Sequence, residues 1–238
     1  MNQVIPRRDP EPPTTPGLGR IYSNRFCPFA EKVTLYAAAK GIPVEVVNIN
    51  LQKKPTWYST KHPEGKTVQE SGIIPEFLDG IYPDSSILPL DPYERARAQL
   101  KLEALAPLAS SFFGLFTMAK GTDPASQREG KVKAVETALD AAEKALDNDY
   151  FEGSSPGYAD WLSVSIFERV FLISSFLSLE EFSPSSSFPG AVRWPRLSAW
   201  WPRITSTPEF KAAAQSTDIS IAFLKGYIAG APDNDLGL

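Results

Sequence analysis

A single cysteine, Cys27, among 238 residues excludes an intrachain disulfide, so the chain needs no oxidising compartment and any redox chemistry it performs is monothiol. A single histidine, His62, set before Pro63, excludes a histidine-based metal set and offers no partner for a Cys-His dyad. Basic blocks are missing too. Lys and Arg total 24 against 28 Asp and Glu, a net charge of −4, which leaves no cationic stripe for nucleic acid. The most apolar stretch, Phe171 to Leu179, is half the ~20 residues of a spanning helix and is interrupted by serines, so no membrane span is expected. Residues 1–17 carry prolines at 6, 10, 12, 13 and 16 without the apolar core of a secretory signal, and the expectation is a cytosolic protein. What is present suits a packed fold: 42% hydrophobic and 22% charged residues, in a length that fits one large domain or two small ones.

After the proline-rich arm (1–18), Gly19 to Asn24 has the aromatic and β-branched content of a short strand. Pro28 suits a first helical position, where its missing N–H has no partner to lose, and Gly41 stops the helix that follows. That spacing puts Cys27 at the N-cap. Val44 to Asn50 is a β-branched run long enough for a buried parallel strand and completes a β-α-β unit. Thr56–Lys61 and Ser71–Gly80 read as short helices and Lys66–Gln69 as a very short strand. From Pro92 onward the spacing is helical throughout, over 93–120, 125–146, 159–179, 196–205 and 208–228, with a kink expected at Pro107. The three prolines between Tyr82 and Pro92 mark a linker. The fold class expected is therefore α/β plus all-α. A thioredoxin-like domain (19–83) and a linker (84–91) precede an all-helical bundle (92–238).

A free cysteine is usually a buried, inert hydrophobe. At a helix N-cap, however, it faces unpaired N–H groups and the positive end of the helix dipole, which favour the thiolate by at most about 1 to 2 kcal/mol. A stronger effect needs direct amide hydrogen bonds or a nearby cation, and Lys54 and Arg25 are the candidate cations.

Arg20-Ile-Tyr-Ser-Asn-Arg-Phe-Cys27-Pro-Phe-Ala-Glu-Lys32, Asn48 to Trp57, Glu70-Ser71, Phe77 to Pro83, Leu88 to Glu94, Asp149-Tyr-Phe151, Phe167-Glu-Arg169 and the closing Leu236-Gly-Leu238 stand in an order that resembles the glutathione transferases, the omega class above all. The resemblance implies Cys27 as nucleophile and glutathione as co-substrate, with Phe29 packed beside the thiol and Leu51 in the pocket wall. It further implies Lys54 on the glycine carboxylate of glutathione, and Glu70 and Ser71 on its zwitterionic γ-glutamyl end. Phe167 and Arg169 are implied to line a pocket for the second substrate, a small electrophile or disulfide. Thiol transfer, dehydroascorbate reduction, reduction of methylated arsenic and a homodimer come from the same resemblance. Ser220 stands where the class often has a pocket tryptophan, and Gly157 where it has a Ser or Thr cap before Asp160.

Between Trp57 and Glu70 the chain is about ten residues shorter than this pattern, roughly one strand and a turn. The strand lost carries the family's cis-proline, whose flanking backbone pairs with glutathione. Gly65-Lys66 has the form of a deletion junction, and Lys66–Gln69 is expected to move inward and pair with Ile21–Ser23, leaving three strands. The loss also supports an alternative, a non-catalytic binding or scaffold protein on the same fold. The chloride-channel-like proteins share Cys-Pro-Phe at a helix start, but Lys32, Lys40, Pro43 and Glu45 interrupt the segment that would have to enter a bilayer.

Overall fold

The computed structural model describes residues 3–5, 10–61, 67–179, 182 and 188–238. Three short parallel strands, β1 (Gln3–Ile5), β2 (Gly19–Ser23) and β3 (Val44–Asn48), form a sheet in the order β1-β3-β2. β2 and β3 pair from Gly19 opposite Val44 to Ser23 opposite Asn48. All five residues of β3 are buried, as its near-continuous β-branched run requires of a strand covered on both faces. The crossover between β2 and β3 is α1 (Pro28–Ala39), which starts on Pro28 and ends before Gly41, whose φ of +65° suits glycine.

The sheet has three strands, but not the three expected. Thr67–Gln69 is exposed and joins no strand, and Lys66 lies outside the described residues. Val68 is the only apolar side chain of Thr67-Val68-Gln69, too little to bury, and Glu70 follows at φ +71°. The third strand comes instead from the proline-rich arm. β1 adds to the far edge of β3, and the arm is held down behind it. The Arg20 guanidinium donates to Pro12 O at 2.7 Å and Pro13 O at 2.6 Å and pairs with Glu45 at 2.7 Å. On the same face of β2, the 3-10 turn Thr56–Lys61 brings Trp57 and Tyr58 within 5.8 and 6.0 Å of the Tyr22 ring, and Lys61 pairs with Glu11 of the arm at 2.7 Å.

α2 (Ile74–Ile81) starts three residues later than the spacing predicts, because Pro75 is tolerated only in a first turn. It is fixed to α1 by a buried network. Asp79 accepts from Lys40 Nζ at 2.6 Å, Tyr36 Oη at 2.7 Å and Leu88 N at 2.9 Å, while Lys40 also donates to Tyr82 O and Ser85 O.

The helical half comprises α3 (Pro92–Leu105), α4 (Pro107–Ala119), α5 (Arg128–Ala145), α6 (Tyr158–Phe176), α7 (Pro195–Thr205), α8 (Pro208–Ala213) and α9 (Thr217–Ile228). Pro107, expected to kink one helix, opens α4. Residues 92–119 together are long and apolar enough to cross a membrane by length and composition, a stretch the sequence reading passed over. In this fold they are two helices that bury Leu105, Leu108, Phe112 and Leu115. The periodicity over 208–228 divides at Ser216, whose hydroxyl caps α9. α6 is the central pillar. Sixteen of its nineteen residues are buried, and it packs against α1, α3 and α4. Its N-terminus is locked by Asp160, which accepts from Gly157 N at 3.0 Å and Trp200 Nε1 at 2.6 Å; burial pushes this carboxyl up to about 6.

Candidate functional site

Parallel β2 delivers the chain to the N-terminus of α1 through Asn24-Arg25-Phe26-Cys27. Cys27 is the N-cap, in extended conformation, and its thiol makes no capping hydrogen bond. Its backbone is held on both sides: Cys27 N donates to Asn24 O at 3.0 Å, and Cys27 O accepts from Glu31 N at 2.9 Å. The loop is tied to the C-terminal tail. Asn24 Nδ2 donates to Asn234 Oδ1 at 2.7 Å and to Ile49 O at 3.1 Å, Asn48 Nδ2 donates to Asn234 O, and Asn50 Nδ2 donates to Asp235 at 2.7 Å.

Cys27 opens into a cavity of about 260 Å³ between the two halves. α4 and α9 supply aromatic walls. Phe29 lies 6.2 Å from Phe113, Phe116 lies 5.1 Å from Tyr227, and Phe223 stacks on Phe26 at 3.9 Å. From α6, Arg169 reaches the wall, its guanidinium held between Glu31 of α1 and its own neighbour Glu168. Two carboxyls share one guanidinium there, all three buried. Burial pushes Glu31 well above the ordinary carboxylate range, against the pull of Arg169 and with the repulsion of Glu168.

A third cation, Lys32, is half-buried on α1 with its ammonium 5.7 Å from the Phe29 ring centroid. Burial lowers Lys32, and Cys27 is the charge that opposes this. Among the described residues no carboxylate pairs with it. The two cations expected there are engaged elsewhere: Arg25 turns to Gln215, with Nε 3.1 Å from Oε1, and Lys54 is exposed to solvent.

The chain matches the glutathione S-transferase N-terminal domain over residues 21–86 and the glutathione S-transferase C-terminal domain over 105–208. It is 40% identical over 250 positions to a probable glutathione transferase omega-2 of Caenorhabditis briggsae, covering 100% of this chain and 97% of that protein. The chain belongs to the omega-class glutathione transferases. That alignment spans 250 positions against the 238 residues of this transferase, in keeping with a shortened chain. In fold it is similar to glutathione transferase Omega 2C of Trametes versicolor, with TM-score 0.68, 21% identity and coverage of 88% of this chain and 98% of that one. It is also similar in fold to rice GST1 in complex with glutathione, with TM-score 0.71, 18% identity and coverage of 90% and 97%.

Of the site residues expected for an omega-class transferase, the structure brings Cys27, Phe29, Leu51 and Arg169 to one cavity. It does not bring Lys54, Glu70 or Ser71 to its walls. Lys54 and Glu70 are exposed, and because α2 begins only at Ile74, Ser71 sits in a turn rather than at a helix N-terminus. Phe167 does not line this cavity: it is fully buried, 4.8 Å from the Trp200 ring in the core. His62 lies outside the described residues, and these contain no group of three potential metal ligands. Sequence reasoning missed Lys32, the Glu31 partner of Arg169 and the aromatic wall. Phe112 and Phe116, and Phe223 and Tyr227, do stand at i, i+4 spacing, with Phe113 three residues before Phe116, but a core helix shows the same signal.

Proposed function

We propose that this chain is a glutathione-dependent thiol transferase of the omega type, with Cys27 as its nucleophile. One observation carries the reading: the sole cysteine is a helix N-cap that opens into an apolar cavity, on the same helix as a half-buried lysine that pairs with no carboxylate among the described residues. Glutathione as co-substrate is supported by the family and by the similar rice structure solved with it.

In the proposed cycle the Cys27 thiolate attacks the glutathionyl sulfur of a mixed disulfide. The Cys27–glutathione disulfide forms, and the other sulfur leaves as a thiolate that takes a proton from the Lys32 ammonium or from water. A second glutathione transfers its thiol proton back, and its thiolate attacks the Cys27-bound glutathionyl sulfur. Glutathione disulfide departs and the Cys27 thiolate is restored. No internal thiol competes for the intermediate, because there is none. Dehydroascorbate is a proposed alternative acceptor of the same two electrons, and a reducing cytosol is the proposed setting.

A homodimer is proposed on the exposed apolar stripe Ile73, Phe77 and Ile81, which runs along α2 at i, i+4, i+8 and neighbours exposed Leu90 and Tyr93 in sequence order. A second reading, a binding or scaffold protein, is favoured by the absence of Lys54, Glu70 and Ser71 from the cavity walls.

The deciding assay is reduction of a glutathione mixed disulfide by wild type, Cys27→Ser and Lys32→Met. Cys27→Ser is expected to abolish turnover, and Lys32→Met to slow it. Equal turnover by wild type and Cys27→Ser, with no calorimetric signal for millimolar glutathione, would establish the scaffold reading instead.

A further inference from the structure

Where α1 of the first half packs against α6 of the second, three charged side chains are sealed from solvent together. Glu31 comes from α1 and Glu168 and Arg169 from α6, with side chains 2 to 9% exposed. The thiol cycle draws no proton from them. If all three were ionised, two negative charges would face one positive charge, and a buried net charge is what a protein interior tolerates least.

No second cation reaches the cluster among the described residues. On α1 itself, Lys32 lies over the Phe29 ring and Lys40 is bonded to Asp79 of α2. Arg20 of β2 pairs with Glu45 and Glu11, and Arg25 of the thiol loop turns to Gln215. On α3, Arg95 pairs with Glu76 of α2 and Lys101 with Asp147, while Glu94, Arg97 and Glu103 are exposed. Lys211 of α8 and Asp218 and Lys225 of α9 are exposed as well, Glu209 of α8 adds only a negative charge, and α4 carries no charge at all. The surplus must be removed in another way.

The polar contacts show how. One guanidinium nitrogen of Arg169 donates to Glu31 Oε2 and another to Glu168 Oε2, whereas no donor reaches Glu31 Oε1. The carboxyls of Glu31 and Glu168 nevertheless stand within hydrogen-bond reach of each other. Two carboxylates cannot bond, because each only accepts. A proton between them turns that contact into a bond and cancels the surplus charge.

We propose that Glu31 and Glu168 hold one proton between them at neutral pH, and that this shared proton is a clasp between the two halves of the molecule that alkali releases to solvent. With it the cluster is neutral: one carboxylic acid, one carboxylate and one guanidinium. Without it two carboxylates repel across the contact between α1 and α6, which then opens more readily to water. Because the folded chain holds this proton more tightly than the unfolded one, the clasp is complete below the ordinary value of 4.5 and is lost as pH climbs through the pair's own higher value. It does not depend on the thiol-transfer reading.

The test follows the glutamate side-chain carboxyls of the full chain by carbon-13 NMR between pH 5 and 9, in wild type, Glu31→Gln and Glu168→Gln. Both variants keep side-chain volume and supply a donor of their own. Wild type is expected to show a titration step from the pair well above the ordinary range, and each variant to lose it with the remaining carboxyl ionised throughout. The Glu152 step, near 7, should survive in both and serves as the internal control. A wild type with Glu31 and Glu168 both ionised at pH 6 overturns the proposal without any variant, and a raised step that persists in Glu168→Gln overturns the sharing. The clasp is read by amide exchange in α1 and α6, compared between wild type and Glu168→Gln at each pH so that intrinsic base catalysis cancels. Below the step, each pH unit is expected to speed exchange in wild type by up to about tenfold relative to the variant. The same pH dependence in both overturns the clasp.

Discussion

At Gly157 the first turn of α6 has no side chain to accept its free amide hydrogens, and the Glu152 carboxylate takes that place, accepting from Ala159 N at 2.8 Å. A Cβ at position 157 would stand 1.6 Å from Glu152 Oε2, so a serine or threonine cap there requires the Glu152 carboxylate to move aside. The substitute brings a titration with it. Burial, and then repulsion from Asp160, pushes Glu152 from the ordinary 4.5 up to about 7. A carboxyl raised in the folded state binds its proton more tightly there than in the unfolded chain. Its contribution is therefore complete below pH 4.5 and is lost as pH rises to 7, an effect of about 3 kcal/mol. Asp160, raised to about 6, acts in the same direction. Urea unfolding is expected to show stability falling between pH 5 and 7.5, and Glu152→Gln, which keeps an acceptor for Ala159 N, to flatten that slope. An unchanged slope in the variant would assign the titration elsewhere.

Among the elements, α1 and α2 are coupled most tightly by Asp79 and Lys40. Burial opposes the Asp79 charge, but hydrogen bonds from Lys40 and Tyr36 hold its carboxyl below the ordinary range. The Lys40 side chain is fully buried, so Asp79→Ala strands an ammonium. The expected cost is about 3 to 5 kcal/mol, read from chemical unfolding midpoints. Elements of this kind differ in how legible they are. α1, β3 and α6 could be read directly, because Pro28 and Gly41 bracket the first, β-branched residues fill the second, and apolar spacing runs the length of the third. β1 could not be read. Gln3-Val4-Ile5 is too short to signal a strand, and only the open edge of β3 recruits it. The start of α2 was misplaced because Ser71 has the form of a cap, while the Pro75 ring dictates where the helix begins. At the site, the position of Cys27 was legible from Pro28 alone. Which helix sides face it was not, since Phe167 and Arg169 lie two residues apart on α6 and point to different neighbours.

For the whole molecule, the exposed apolar residues of α2, with Phe77 at their centre, are the proposed contact between copies. If two copies associate there, Phe77→Glu places a charge in the contact and shifts the mass measured by light scattering from dimer to monomer, with disulfide reduction measured in parallel. A wild-type monomer at tens of micromolar would dismiss the dimer. The loop ahead of Cys27 is tied to a residue far along the chain: Asn24 is bonded to Asn234 across 210 positions of sequence. A ribosome that has completed β1 to β3 and α1 has therefore released every backbone group of that loop but not the anchor that fixes it. A chain cut short of residue 234 would carry the cysteine without this bond.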